Sequence, residues 1–418
     1  MARVLLHTLV FSPDAVSTSY LMTDLARQLK IFGHDVVVLT TTPHYNLDVG
    51  SLERQPMRKH WLGLLGESSL DGIPVWHVRL PMKGDRVYTR VLDYLYFHLV
   101  SLIVGLFRIG RYDLVITPSP PLTIGIVGWL LSGARHVPFV YNIQEIYPDF
   151  AVNQGLIKNR LFIRILKWLE RFVYDRSARV VSISEWFNQI VKDRVDNRKL
   201  VVIPNFVDTQ LYRPLPRSNA FAEQHDLVRT FNVLYGGNIG LSQDWDAFLL
   251  AAERLHDLPI QFVIVGDGAR RKWLEETVVQ RNLRNIRLLG YQARETMALV
   301  NASADICTIP MKASTTKDTF PSKIYTIMAC AKSVIVQADD DSELAWLINS
   351  VKCGRVVPPG DAEAYVRAVE LSYHDNNKLT DEGQRGFEFV KRQYSKEVVG
   401  EKYSKLVHDL TRNGLTRT

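Results

Sequence analysis

Cysteine is scarce in this 418-residue chain. Cys307, Cys330 and Cys353 are an odd number with no C-x-x-C pair, so neither a disulfide framework nor a zinc site is indicated and a reducing compartment is expected. There is no H-E-x-x-H, no G-x-S-x-G and no P-loop, which removes support from metalloprotease, serine hydrolase and kinase or ATPase readings. The loop Ser12–Thr18 after the first apolar run carries no G-x-G-x-x-G, which argues against a dinucleotide site at that turn. No repeat or low-complexity tract is visible. One run without Lys, Arg, Asp or Glu, Tyr94 to Phe107, has 14 residues and contains His98, fewer than the roughly 20 a spanning helix needs, so it is not expected to span a membrane. The apolar start, Arg3 to Phe11, is interrupted by His7 and lacks a small-residue cleavage site, and is expected to be a strand rather than a signal peptide.

What is present describes a folded protein, 46% hydrophobic and 23% charged, long enough for two domains. The net charge of +7 lies in the first half. Residues 1 to 205 hold 24 basic against 17 acidic side chains, whereas the remainder holds 27 of each. Such a basic face suits an anionic partner, whether lipid head groups, a phosphorylated substrate or nucleic acid, or else it serves only solubility. It is not organised into a recognised nucleic-acid fold or aromatic platform, so no nucleic-acid partner is expected.

Val4–Phe11, Ser19–Phe32 and Asp35–Thr40 read as a β-α-β unit, with Gly33 at the helix C-cap. Strands follow at Leu114–Thr117, Phe139–Asn142, Val180–Ile183 and Leu200–Ile203. Residues 208 to 228 are polar and proline-bearing, as a linker would be. The alternation then restarts with strands at Asn232–Tyr235, Gln261–Val265, Ile286–Leu289, Ile306–Ile309, Val334–Gln337 and Arg355–Val357. The implied fold class is α/β, with two doubly wound parallel-sheet (Rossmann-like) domains, residues 1–207 and 208–394, facing across a cleft. Gly386 to Leu410 is helical by spacing, and a closing helix of about 395–418 is expected to pack back on the first domain. Lys158 to Arg179 alternates apolar and basic residues, which fits either an interfacial helix or a core helix with a solvated basic face.

Three stretches of the second half favour anions. Strand Asn232–Tyr235 runs into Gly236-Gly237-Asn238-Ile239-Gly240 ahead of a helix near Asp244, and Gln261–Val265 ends in Gly266-Asp267-Gly268 followed by Arg270 and Arg271. Glycines there let backbone N–H groups approach a diphosphate at a helix N-terminus. Pro321-Ser322-Lys323, ahead of the apolar run Ile324 to Val336, offers a capping serine and a cation, reading either as a phosphate site or as a plain helix cap. In the first half, Asn142, Gln144 and Glu145 follow a strand. Glu145 would cap a helix or act on an acceptor hydroxyl.

In combination these motifs resemble the retaining nucleotide-sugar glycosyltransferases of GT-B fold, family four, and among them the bacterial exopolysaccharide, capsule and O-antigen enzymes of colanic-acid- and fucosamine-transferase type. Ser182-Ile183-Ser184-Glu185 is similar to the family's "SE" segment, and Val202 to Asp208 to its "IPNGVD" with Phe206 replacing glycine. Gly237-Asn238-Ile239-Gly240 with Gln243 is similar to "GNIG..Q", Ser119-Pro120-Pro121 to "SPP", and Gln144-Glu145 with Tyr147-Pro148 to "QDLWP".

The resemblance implies a nucleotide-diphosphate-sugar co-substrate, UDP-sugar favoured, held by the second domain, with no metal and no cofactor. Its donor-binding residues would be Gly237, Asn238, Ile239, Gly240, Gln243, Gly266, Asp267, Gly268, Tyr291, Asp318, Pro321, Ser322 and Thr326. Glu145 and Lys323 would be catalytic, and Ser17, Thr18, Ser119 and Asn142 would bind the acceptor. The implied acceptor is a polyprenyl-diphosphate-linked saccharide, with the enzyme cytoplasmic and peripheral on an anionic membrane face. Departures from the pattern are Asn238 and Gln243 where Arg and Lys are common, Thr326 in place of the second glutamate of E-x7-E that begins at Asp318, and no histidine near Thr117 to Ser119. A nucleotide-sugar 2-epimerase of the same fold and a non-catalytic membrane-associated partner are the competing readings.

Overall fold

Short runs of Val, Leu and Ile with little charge form the strands, as sheets buried on both faces require. The structure is a computed structural model that describes residues 1–45, 49–81, 87–153, 155–315 and 320–414. Two units divide the chain, Met1–Asn205 with Lys396–Thr418, and Phe206–Ser395.

The first unit holds β1 Arg3–His7, β2 Asp35–Thr41, β3 Arg58–His60, β4 Leu65–Leu70, β5 Ile73–Val78, β6 Leu114–Pro118, β7 Phe139–Ile143, β8 Arg179–Ser182 and β9 Leu200–Val202. Their order is β3-β4-β5-β2-β1-β6-β7-β8-β9. Pairing is parallel except at β3–β4 and β4–β5. These last three strands are absent from the sequence reading; β4 escapes it because Gly66, Glu67, Ser68 and Ser69 give no apolar alternation.

Helix Val87–Phe107 has 21 residues and extends back through Arg90 and Asp93 beyond the charge-free run. Its segment Thr89–Phe107, of mean hydropathy 1.5, is long and apolar enough to cross a membrane, so the charge-free run alone understates its length. Phe97, Ser101 and Val104 nevertheless bury one face of it, where Ser101 Oγ meets His7 Nε2 of β1 at 3.1 Å.

The C-terminal segment is two helices, Asn377–Gln393 and Lys396–Gly414, broken at Tyr394 and Ser395. The second lies on helix Ser17–Ile31 in the first unit. A Cβ at Gly400 would sit 2.6 Å from Gln28 Cβ, and Ser404 Oγ meets His34 Nε2 at 2.9 Å.

The second unit holds β10 Phe231–Gly236, β11 Ile260–Val265, β12 Ile286–Leu289, β13 Ile306–Pro310, β14 Ser333–Gln337 and β15 Gly354–Val357, all parallel in the order β12-β11-β10-β13-β14-β15. Alternation along β10 sends Val233 and Tyr235 into one core and Leu234 into the other. The stretch 208–228, expected as a linker, is packed instead. Phe221, Ala222 and Leu227 enter the core, and the Arg217 guanidinium binds both carboxylate oxygens of Asp305 at 2.6 and 2.7 Å. The run Ile324 to Val336 is likewise divided, into helix Lys323–Ala329 and strand β14.

Candidate functional site

In the second unit the chain runs outward from β10 through β11 to β12 on one side, then crosses from β12 to β13 on the other side of β10. Ligands of open parallel sheets sit at the carboxyl ends of strands at such a reversal. Gly236 ends β10 there. Gly237, Gly266 and Gly268 have φ of 134°, 147° and 153°, a region that side chains disfavour. A Cβ at Gly266 would lie 1.9 Å from the Gly237 carbonyl oxygen, and one at Gly268 2.5 Å from the Ile239 carbonyl oxygen. The two glycine turns therefore pack directly on each other.

That packing uses most of the N–H groups expected to face a diphosphate. Gly237 N donates to Val265 O at 2.9 Å, Ile239 N to Asp267 O at 2.8 Å and Gly240 N to Gln243 Oε1 at 2.8 Å. Among the described residues the backbone N–H of exposed Asn238 in the first turn, like that of exposed Asp267 in the second, has no partner. Gln243 is thus a brace rather than a free ligand. Its Nε2 also donates to Ser242 Oγ at 2.9 Å, and it bridges to Met311. Gly266 N donates to Leu289 O at 3.1 Å, and Gly268 N to Asp267 Oδ1 at 2.7 Å. The arginines after this turn do not point charge at a ligand. Arg271 Nη1 donates to the carbonyls of Gly266 and Leu289 at 2.6 and 2.8 Å, and Arg270 lies over the Trp273 ring.

Lys323 opens helix Lys323–Ala329, and its ammonium meets the β10 turn. A Cβ at Gly237 would lie 2.9 Å from Lys323 Nζ, which stands 3.9 Å over the ring of Tyr235. No carboxylate pairs with it among the described residues. Desolvation lowers its pKa from 10.5 to about 7, although the side chain keeps some solvent contact. An unpaired, readily charged amine beside a glycine turn matches the needs of an incoming phosphate. Tyr235 was not anticipated. It carries the lysine on its ring and donates from its hydroxyl to Asn238 O at 2.6 Å, and as a buried aromatic in a strand it looks like any core residue.

Other expected donor contacts fare unequally. Ser322 precedes the helix in helical conformation and makes no side-chain cap, so the capping reading is corrected; a seven-residue helix also contributes little dipole. Pro321 accepts from Ile324 N at 3.0 Å. Thr326 Oγ1 donates to Lys323 O at 2.8 Å, which occupies its hydroxyl inside the helix. Tyr291, 54% exposed beyond β12, is free to stack on a planar ring. Asp318 lies outside the described residues.

In the first unit two expected acceptor ligands prove to be internal braces. Asn142 is fully buried, donating from Nδ2 to Tyr403 Oη at 2.7 Å and accepting at Oδ1 from Gln144 Nε2 at 2.9 Å. Ser119 is buried as well, its Oγ accepting from Gln144 N at 3.0 Å. Enclosure withdraws both from a ligand. Glu145 stays partly accessible, and burial raises its carboxyl pKa above the ordinary 4.5. Ser17 and Thr18 are the first residues of helix Ser17–Ile31, exposed and half-buried respectively.

Residues 19–205 match a model described as a glycosyl transferase 4-like domain, and residues 230–375 match one described as glycosyl transferases group 1. The chain is 24% identical over 386 residues to WcaI of Escherichia coli strain K12, named for colanic acid biosynthesis; the match covers 88% of this chain and 91% of that one. Its fold is similar to sucrose-phosphate synthase from Thermosynechococcus elongatus, with a TM-score of 0.75 at 17% identity over 99% of this chain and 100% of that one. It is also similar to Anabaena HepE, solved in complex with UDP, with a TM-score of 0.73 at 15% identity over 98% and 100%. Two glycosyltransferase domain models in tandem, on a fold shared from end to end with enzymes of that architecture, make this chain a member of the GT-B glycosyltransferases.

Proposed function

We propose that the enzyme transfers a sugar from a nucleoside-diphosphate donor, UDP-sugar favoured, to a polyprenyl-diphosphate-linked saccharide in bacterial cell-surface polysaccharide synthesis, with retention of anomeric configuration. The observation that carries this reading is the meeting of two glycine turns with the unpaired ammonium of Lys323. The solved complex of HepE with UDP and the naming of WcaI for colanic acid biosynthesis support the donor and the pathway class.

In this reading the diphosphate lies against Asn238 N–H and Lys323. Its charge draws a proton onto the lysine, and the resulting cation stabilises the leaving nucleotide without a metal. Tyr291 stacks on the base. Ser322 Oγ, which makes no hydrogen bond among the described residues, is available to a phosphate oxygen. Glu145 orients or deprotonates the acceptor hydroxyl, and its raised pKa makes it a better base than an ordinary carboxylate. The acceptor's lipid keeps the enzyme on the cytoplasmic membrane face. The transferase domain matches favour this reading over the epimerase and non-catalytic alternatives.

The test is incubation with a panel of UDP- and GDP-sugars and a prenyl-diphosphate-linked sugar, with nucleotide release and product anomer as readouts. Nucleotide release only in the presence of the prenyl acceptor is the expected result. Folded protein that releases nothing across the panel, or that interconverts free UDP-sugar without acceptor, overturns it.

A further inference from the structure

Helix Val87–Phe107 turns Leu92, Leu95, Leu99, Ile103 and Phe107, spaced three and four residues apart, away from the protein. Leu95, Leu99 and Phe107 are 59%, 61% and 78% exposed. A stripe of this length left in water is unusual for a folded chain and marks a surface that is covered in use.

A second stripe lies two helices away in the same layer. Helix Arg160–Arg176 exposes Leu161, Ile165 and Trp168, and one position earlier along the same pitch it exposes Arg160, Arg164, Lys167 and Arg171. Arg160, Arg164 and Arg171 have no carboxylate partner among the described residues. Between the two runs helix Ile124–Arg135. Leu131 Cδ2 would be 2.5 Å from a Cβ at Gly105 on one side, and Trp129 meets Phe172 edge-on at 5.0 Å on the other. Leu130 of that middle helix is exposed too, so each of the three adjacent helices presents apolar side chains to the outside.

We propose that this three-helix layer is a docking face for an anionic lipid bilayer. The Leu92–Phe107 stripe enters the acyl region, helix Val87–Phe107 lies along the interface without crossing it, and the arginines of helix Arg160–Arg176 meet the head groups. Charge decides the occupant. In a two-fold contact between two copies the same patch faces itself, which would set the unpaired arginines against one another or against the apolar stripe, neither of which neutralises them, whereas anionic head groups do. Burial of Phe97, Ser101 and Val104 against the sheet keeps the helix from leaving the fold to span. The proposal gives the membrane contact of the function proposed above its residues, and rests on that reading only for the lipid nature of the acceptor.

The experiment is flotation of the full-length protein with vesicles of phosphatidylcholine alone or mixed with phosphatidylglycerol, beside calorimetric titration with UDP. Wild type should float with the anionic vesicles and be released by alkaline carbonate. Leu95→Gln/Leu99→Gln should reduce flotation by roughly tenfold or more. Arg160→Gln/Arg164→Gln/Arg171→Gln should lose roughly fivefold per arginine on anionic vesicles only. Both variants change exposed positions and should keep wild-type UDP affinity, which separates loss of docking from failure of the donor reading. Flotation unaffected by either variant, absence of wild-type binding, or resistance to carbonate overturns the proposal. So does a wild-type dimer in sedimentation that Leu95→Gln/Leu99→Gln dissolves, because the face would then belong to a second copy.

Discussion

Replacing Lys323 by methionine separates what this lysine costs from what it does. Desolvation lowers its pKa from 10.5 to about 7 in the folded chain. At pH 7 it is fully charged when unfolded but only about half charged when native, so folding releases protons and loses stability. The penalty is absent above about 10.5, grows as pH falls toward about 7, and is complete below that value. The gap, at ~1.36 kcal/mol per pH unit, sets a ceiling of roughly 4–5 kcal/mol. Residual solvent contact and the Tyr235 ring at 3.9 Å offset part of it. Lys323→Met should therefore stabilise the ligand-free second unit by about 1–3 kcal/mol, raising its melting temperature by several degrees.

The same change should harm binding. Titration of wild type with UDP at pH 8, in two buffers of different ionisation enthalpy, should give close to one proton taken up per UDP, because the free lysine is then mostly neutral. Affinity should weaken above pH 7 by up to about tenfold per pH unit. Lys323→Met should abolish the uptake and lower UDP affinity by roughly tenfold or more, about 1.4 kcal/mol per tenfold, with turnover falling at least comparably. A variant that is no more stable than wild type, or that keeps both proton uptake and affinity, would refute the assignment of Lys323 as an unpaired diphosphate cation.

Three further substitutions probe the rest of the site. Gly266→Ala puts a Cβ 1.9 Å from the Gly237 carbonyl oxygen at φ of 147°, and should cost about 3 kcal/mol or more and remove the UDP-induced thermal shift; unaltered melting would mean that the turns do not pack as described. Glu145→Gln should depress turnover about a hundredfold at unchanged UDP affinity. The wild-type rate should fall as pH drops through the raised carboxyl pKa, at a pH above the ordinary carboxylate range, and the variant should lose that limb. Tyr403→Phe strips the buried amide of Asn142 of its partner and should cost about 1–3 kcal/mol in urea unfolding without altering donor affinity, since Asn142 is a brace.

The strands were legible because burial on both faces leaves a plain signature. Runs such as Val233 to Tyr235 and Val334 to Val336 admit almost no polar residue, and the structure moves the ends of these two strands by at most one position. β4 was not legible, because its buried positions Gly66 and Ser68 carry no apolar side chain and the segment is held by cross-strand pairing with β5. The donor-side glycines were legible for an equally local reason. Positive φ admits few side chains, so Gly237, Gly266 and Gly268 advertise their turns.

By itself the sequence determined two sheets in tandem, two glycine-ended strands on one rim and a basic first half. Each follows from neighbours in the chain, through alternation, backbone conformation or charge count. Only the tertiary structure decided which polar groups remain free. Asn142, Ser119 and Arg271 look like ligands along the chain, yet their hydrogen bonds are taken by partners that folding brings near. Lys323 and the Leu92–Phe107 stripe, which along the chain look like part of a plain helix cap and an ordinary apolar run, are left without such partners. A side chain's availability is what remains after every other residue has been packed, and no local pattern can report that remainder.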